Sequence, residues 1–202
     1  FEAYRQWTGS GKWVCSVPSG NFGNLTAGLM AKQMGLPIHH FVAATNVNKV
    51  VPDYLESGEY EPRASVSTLS NAMDVGQPSN FVRMMALYQQ SWLSLKADLS
   101  GFWATDEETK VEMKRVFDNS GYVLDPHGAI GHLALRKYLE THGGSGFFLE
   151  TAHPAKFLDT VEAALGQTIE IPERLAQLKD RKKEAVGLGS EFGPFKDFLL
   201  SR

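Results

Sequence analysis

The chain has 202 residues, 43% of them hydrophobic and 21% charged, an ordinary globular make-up with ample material for a core. A formal net charge of −3 gives no basis for expecting nucleic acid or an anionic membrane as a partner. The single cysteine, Cys15, cannot form an internal disulfide, and no apolar run approaches membrane-spanning length, so the expectation is a cytoplasmic protein in a reducing compartment.

Phe1 to Trp7 reads as the end of an amphipathic helix already under way, so the chain is expected to be a piece of something longer. Trp13-Val14-Cys15-Ser16-Val17 is a short apolar run that predicts a buried strand. A loop with two glycines and two asparagines follows, Ser19 to Asn24, and Leu25 to Met34 predicts a helix with Gly35 as its cap and Pro37 as its stop. Leu36 to Thr45 predicts the second strand. Strand, glycine-rich turn, helix and strand make a βαβ unit, and a parallel sheet follows from it. Asn46 to Leu55 predicts a short helix ending at Ser57-Gly58.

Glu59 to Asn80 is rich in Ser, Asn, Asp, Pro and Gly and lacks periodicity; it is either a long irregular loop or a functional insertion. Helical spacing resumes at Phe81 with Met84, Met85, Leu87 and Tyr88, then Trp92, Leu93 and Leu95. Thr105-Asp106-Glu107-Glu108 is a capping box ahead of a helix that carries Met113, Val116 and Phe117 and stops at Asn119-Ser120-Gly121. A further helix is predicted over Pro126 to Thr141, a turn over Gly143 to Gly146, and a third strand over Phe147 to Ala152. Pro154 opens the next helix, with Phe157, Leu158, Val161, Ala164 and Leu165 on its buried side. The tail is read as helical and polar, with Lys179, Arg181, Lys182 and Lys183 forming a solvated face. The whole, 1–202, is read as a single α/β domain: a mostly parallel sheet flanked by helices.

The loop from Gly20 to Asn24 sits between a strand and a helix N-terminus. Free N–H groups and the helix dipole favour an anion at such a place, and glycine lets the backbone approach closely. A plain strand–helix turn explains the same local pattern. The loop is not a dinucleotide fingerprint, because the three-glycine spacing is absent, and Gly9-Ser10-Gly11-Lys12 is not a P-loop, because Trp13 follows it. The histidines have no metal-ligand spacing and no cysteine pair accompanies them, so no metal site is expected. Thr151 is either an ordinary strand residue or, standing near the C-terminal end of a parallel strand, a ligand contact.

Val17 to Gly28 resembles the cofactor-phosphate loop of threonine synthase, a pyridoxal phosphate enzyme of fold type II, the tryptophan synthase β-like class. The resemblance continues in Phe41 to Asn48, Leu69 to Val75 and Thr151 to Phe157, in the family's order and approximate spacing. It spans most of the chain from about Trp13 to Pro172. It implies the last step of threonine biosynthesis: O-phospho-L-homoserine and water give L-threonine and phosphate. Pyridoxal 5'-phosphate serves as electron sink while protons leave Cα and then Cβ, the γ-phosphate departs and water adds at Cβ.

The same resemblance implies that backbone N–H groups of Gly20, Asn21, Phe22, Gly23 and Asn24 hold the cofactor phosphate. It places the Thr151 hydroxyl on the pyridine nitrogen. Asn71, Asp74, Asn80 and Arg83, in or beside the polar stretch, are candidates for binding or gating the phosphorylated substrate, the alternative being an ordinary capped surface loop. The family's Schiff-base lysine lies upstream of the glycine loop and has no counterpart in this chain, whose Lys156 occupies a different position. The chain is therefore expected to be the C-terminal fragment of a carbon–oxygen lyase, inactive without the N-terminal half of the same protein, and the cofactor is expected in the full-length enzyme. The rivals are another fold type II enzyme, such as a serine or threonine dehydratase, and a non-catalytic module that binds a phosphate ligand.

Overall fold

The computed structural model describes every residue except Lys179, Asp180, Lys183 and Arg202. Two of the four residues of the basic tail cluster, Lys179 and Lys183, thus lie outside the described residues, while Arg181 and Lys182 are exposed. The chain divides into two compact units, Phe1–Glu170 and Ile171–Arg202. The second carries α9 (Glu173–Ala176) and α10 (Phe192–Leu200). Among the described residues, the tail expected to be polar and helical is helical in these two segments, and α10 turns Phe192, Leu199 and Leu200 to solvent.

The first unit opens with α1 (Glu2–Gln6). Its centre is a four-stranded sheet of β1 (Trp13–Pro18), β2 (His40–Thr45), β3 (Leu99–Trp103) and β4 (Ser145–Phe148), in the order β3-β2-β1-β4, with every pairing parallel. β1 and β2 are buried along their whole length, which is why both read as near-continuous apolar runs. Layers of side chains cover the two faces. Cys15, Val17, Phe41 and Ala43 pack with Leu25 and Leu29 on one side; Val14, Val42 and Ala44 pack with Ile130, Leu133 and Ala134 on the other.

The helices are α2 (Gly23–Gln33), α3 (Val50–Ser57), α4 (Phe81–Leu87), α5 (Trp92–Asp98), α6 (Asp106–Ser120), α7 (Pro126–His142) and α8 (Leu158–Leu165). The capping box at Thr105 forms as expected: its hydroxyl accepts the Glu108 N–H at 3.2 Å and the Glu108 carboxylate accepts the Thr105 N–H at 2.8 Å.

Several expectations need correction. β3 was not anticipated; it is a five-residue edge strand directly continuing α5, too short and too alternately exposed to show an apolar run. The single helical pattern expected after Phe81 is two helices, broken where Gln89 and Gln90 adopt φ of 52° and 61°. The helix expected from Asn46 begins only at Val50, because the Asn46 and Asn48 side chains bond outside the helix. The helix expected from Pro154 opens as a 3-10 turn, Pro154–Phe157, before α8.

The strand expected over Phe147 to Ala152 is β4, which starts at Ser145 and ends at Phe148. Its ladder with β1 continues only through the Leu149 N–H, which donates to the Ser16 carbonyl at 3.1 Å. β1 itself ends at Pro18, which has no N–H to offer.

Candidate functional site

A parallel sheet sends every strand's C-terminal end to one edge, and loops gather their ligands there. At that edge β1 turns into α2. Ser19 closes the strand, donating its N–H to the Ala44 carbonyl and its hydroxyl to the Val17 carbonyl, both at 2.8 Å. Phe22 then adopts the left-handed conformation, φ 62° and ψ 20°, and buries its ring in the core. This non-glycine residue at positive φ costs about 1 kcal/mol, and burying the ring offsets it.

α2 begins at Gly23, two residues before the expected start, so Gly23 and Asn24 form its first turn. Among the described residues, no acceptor faces the backbone N–H groups of Gly20, Asn21, Phe22, Gly23 and Asn24; the first loop-to-helix bond is from the Thr26 N–H to the Phe22 carbonyl at 2.9 Å. Five consecutive donors at the start of an eleven-residue helix, on residues that are exposed or half-buried apart from Phe22, suit a phosphate.

The polar stretch from Glu59 to Asn80 fixes this loop from behind. A 3-10 turn, Asn71–Met73, presses on Gly20 so closely that a Cβ there would lie 2.6 Å from the Ala72 carbonyl oxygen and 2.8 Å from the Met73 Cα. Only glycine fits. Asn21 is clamped at both ends: its Oδ1 accepts the Ser79 N–H at 2.5 Å and its carbonyl accepts the Asn80 amide at 2.8 Å.

The stretch is thus ordered, and its organiser is Asp74. Asp74 Oδ1 accepts from Asn46 Nδ2 at 2.8 Å, Thr68 Oγ1 at 2.7 Å and Asn48 Nδ2 at 3.2 Å, and its Oδ2 accepts the Thr68 N–H at 3.0 Å. Asn48 reaches further, donating to the Val66 carbonyl and accepting the Val66 N–H.

The four substrate candidates therefore part company. Asn80 touches the glycine loop directly. Arg83 is exposed beside it, donating to the Ser79 carbonyl at 3.0 Å and to Asn80 Oδ1 at 3.4 Å. Asn71 is exposed at the start of the turn that presses on Gly20. Asp74 has both carboxylate oxygens engaged within the protein. Asn46, Asn48 and Ser79 were not singled out from the sequence; a polar pair spaced by two residues beyond a buried strand was the available signal for the first two.

Thr151 is exposed and lies three residues beyond the end of β4 rather than within it. The β1–β4 register, Ser16 opposite Phe148, carries it past the same sheet edge as the glycine loop. Cys15, buried in β1, has its thiol pushed up to about 12 by burial, which makes it inert core.

A family model described as "Threonine synthase, C-terminal" matches residues 128–198. The threonine synthase of Escherichia coli K12 is 45% identical over 188 residues, which are 93% of this chain and 43% of that protein. The Serratia marcescens threonine synthase is 48% identical over 187 residues, with the same shares. Among solved structures, E. coli threonine synthase superposes with a TM-score of 0.83 at 44% identity, over 94% of this chain and 44% of its own. The threonine synthase from Brucella melitensis, described as PLP bound, superposes with a TM-score of 0.81 at 33% identity, over 98% of this chain and 48% of its own. More distantly, serine racemase from Dictyostelium discoideum, 18% identical with a TM-score of 0.54, shares the fold.

Four parallel strands with a helix-capped glycine loop at their C-terminal edge define the class as the fold type II pyridoxal phosphate enzyme scaffold. Within that class, the chain corresponds to the C-terminal portion of the threonine synthase family. It spans about 43% of the length of the curated relatives it matches.

Proposed function

We propose that this chain supplies the cofactor-phosphate loop of a threonine synthase that converts O-phospho-L-homoserine and water into L-threonine and phosphate. The observation that carries the reading is the run of five open N–H groups from Gly20 to Asn24, in a chain 45% identical to the E. coli enzyme. Those N–H groups hold the phosphate of pyridoxal 5'-phosphate, strengthened by the positive end of the α2 dipole. When bound, pyridoxal phosphate supplies the electron sink for carbanion chemistry beside the substrate amino group. Ser79 and Asn80 keep Asn21 in place, so the loop needs little reorganisation on binding.

Thr151 would offer its hydroxyl to the pyridine nitrogen. A hydroxyl perturbs that nitrogen less than a carboxylate does and need not hold it protonated. Arg83 offers a fork of donors to the substrate phosphate, with Asn80 beside it and Asn71 at the start of the turn that presses on Gly20. Asp74 acts through the Asn46–Thr68 network, as a positioning residue rather than a substrate contact. The lysine that bonds the cofactor comes from a segment outside this chain, in the N-terminal half of the protein, which is the partner the chain requires. A cytoplasmic site of action accords with the reading, and among the described residues no helix is long and apolar enough to cross a membrane.

The test is a product assay on the full-length protein with O-phospho-L-homoserine. Release of phosphate with L-threonine supports the reading; a 2-oxo acid, or no turnover, rejects it. Alanine at Arg83 is expected to raise KM about tenfold or more, the cost of a lost charge-assisted contact. The 202-residue chain by itself is expected to be inactive, and reduction followed by mass spectrometry should find no site-specific lysine adduct.

A further inference from the structure

Behind Thr151 lies a buried carboxyl group with an incomplete set of donors. Asp125 caps α7 and is fully buried. Its Oδ1 accepts the His127 N–H at 2.8 Å and lies 2.6 Å from His127 Nδ1. Its Oδ2 is buried and meets no donor among the described residues. The group that does reach Asp125 is the carboxyl of Glu150, the residue immediately before Thr151. Two ionised carboxylates are acceptors only and cannot bond each other; one must carry a proton.

The approach is built into the fold. Glu150 lays its carboxyl against Gly128 in the first turn of α7, where a Cβ would lie 2.5 Å from the carboxyl carbon, so glycine is what leaves room. Tyr122, on the segment leading into α7, is the other titratable group that senses Glu150, and the Phe157 ring packs on His127 at 4.8 Å. The His127 imidazole faces Asp125 Oδ1, and among the described residues no lysine or arginine pairs with either carboxyl.

We propose that Glu150 carries a proton that it donates to Asp125, and that this carboxyl pair latches the segment after β4 to the start of α7, orienting Thr151. Glu150 is thus a positioning residue. The clause about Thr151 rests on the cofactor reading above; the shared proton does not. Glu150 is exposed as a residue, but its carboxyl end lies against α7; loss of solvent there and the neighbouring Asp125 push that carboxyl up to about 9, while His127 holds Asp125 low.

A carboxyl whose folded pKa is raised contributes stability that is complete below its unfolded value of 4.5 and is lost as pH rises towards about 9. Glu150→Gln keeps a neutral donor and removes that titration. In the cofactor-free full-length protein, the melting temperature of Glu150→Gln relative to wild type should therefore climb steadily from about pH 5.5 to about pH 9. In wild-type protein labelled with 13C-glutamate, one carboxyl resonance should stay unshifted while the others titrate. A flat melting difference, or no such resonance, overturns the shared proton.

The positioning role is read separately, from the dissociation constant for pyridoxal phosphate. Glu150→Ala should raise it about tenfold, and Glu150→Gln should restore it to within about twofold. Equal affinity in both variants and wild type overturns the orientation of Thr151 even if the proton is shared. Failure of wild type to bind pyridoxal phosphate rejects the cofactor reading and with it the role of Thr151, while the pH measurements still decide the pair.

Discussion

Glu112 is a buried carboxylate in α6 that survives because donors surround it. Arg115 contributes two bonds at 2.6 and 2.9 Å, Arg136 adds two at 3.1 and 3.4 Å, and His132 Nδ1 lies at 2.7 Å. These partners hold its carboxyl well below the usual range against the opposing effect of burial. Its contribution to stability is present above the unfolded value of 4.5 and is lost as pH falls below it. Glu112→Gln is expected to cost about 2–3 kcal/mol at neutral pH and less in acid, measured by urea midpoints at the two pH values. Gly20 makes the opposite demand, for the absence of a side chain. Gly20→Ala should destabilise by about 1–3 kcal/mol and weaken pyridoxal phosphate binding together, because the clash is with the backbone of Ala72 and Met73 and not with a side chain that can move. Cys15 should resist thiol reagents in the native protein and react on unfolding, which a colorimetric thiol titration reads.

At the scale of elements, α4 and α5 are separated by two glutamines in the left-handed region, both exposed. Gln90→Gly should relieve strain worth about 1 kcal/mol and raise the melting temperature, where glycine inside a helix would lower it. The same feature explains why a continuous helical pattern from Phe81 misled the sequence reading: the apolar spacing runs through the break. Capping chemistry was more legible. The Thr105 box and the Pro126 start declare themselves within four residues, and both helices begin there. β4 was misplaced because Ser145-Gly146 looks like a turn; it is a strand because Trp13 and Val14 of β1 lie beside it in register.

For the molecule as a whole, one sheet edge gathers the glycine loop after β1, the Asn46–Asp74 network after β2 and Thr151 after β4. Two carboxyl groups are expected to act in opposite directions: Glu112 should weaken the fold as acid is added and, on the carboxyl-pair proposal, Glu150 as base is added. A pH scan of melting temperature is therefore expected to peak between them, with the alkaline limb flattened in Glu150→Gln.

The buried strands, the helix caps and the strand–loop–helix setting of Ser19 to Asn24 were determined by the sequence alone, because each rests on periodicity or on chemistry between near neighbours. The edge strand β3, the clamp of Ser79 and Asn80 on Asn21, the conversion of Asp74 from substrate candidate to organiser, and the meeting of Glu150 with Asp125 were decided by tertiary structure. Each of these joins residues separated along the chain by tens of positions or by a shared sheet register, and whether a carboxyl ends up free or engaged depends on which donors the fold delivers to it.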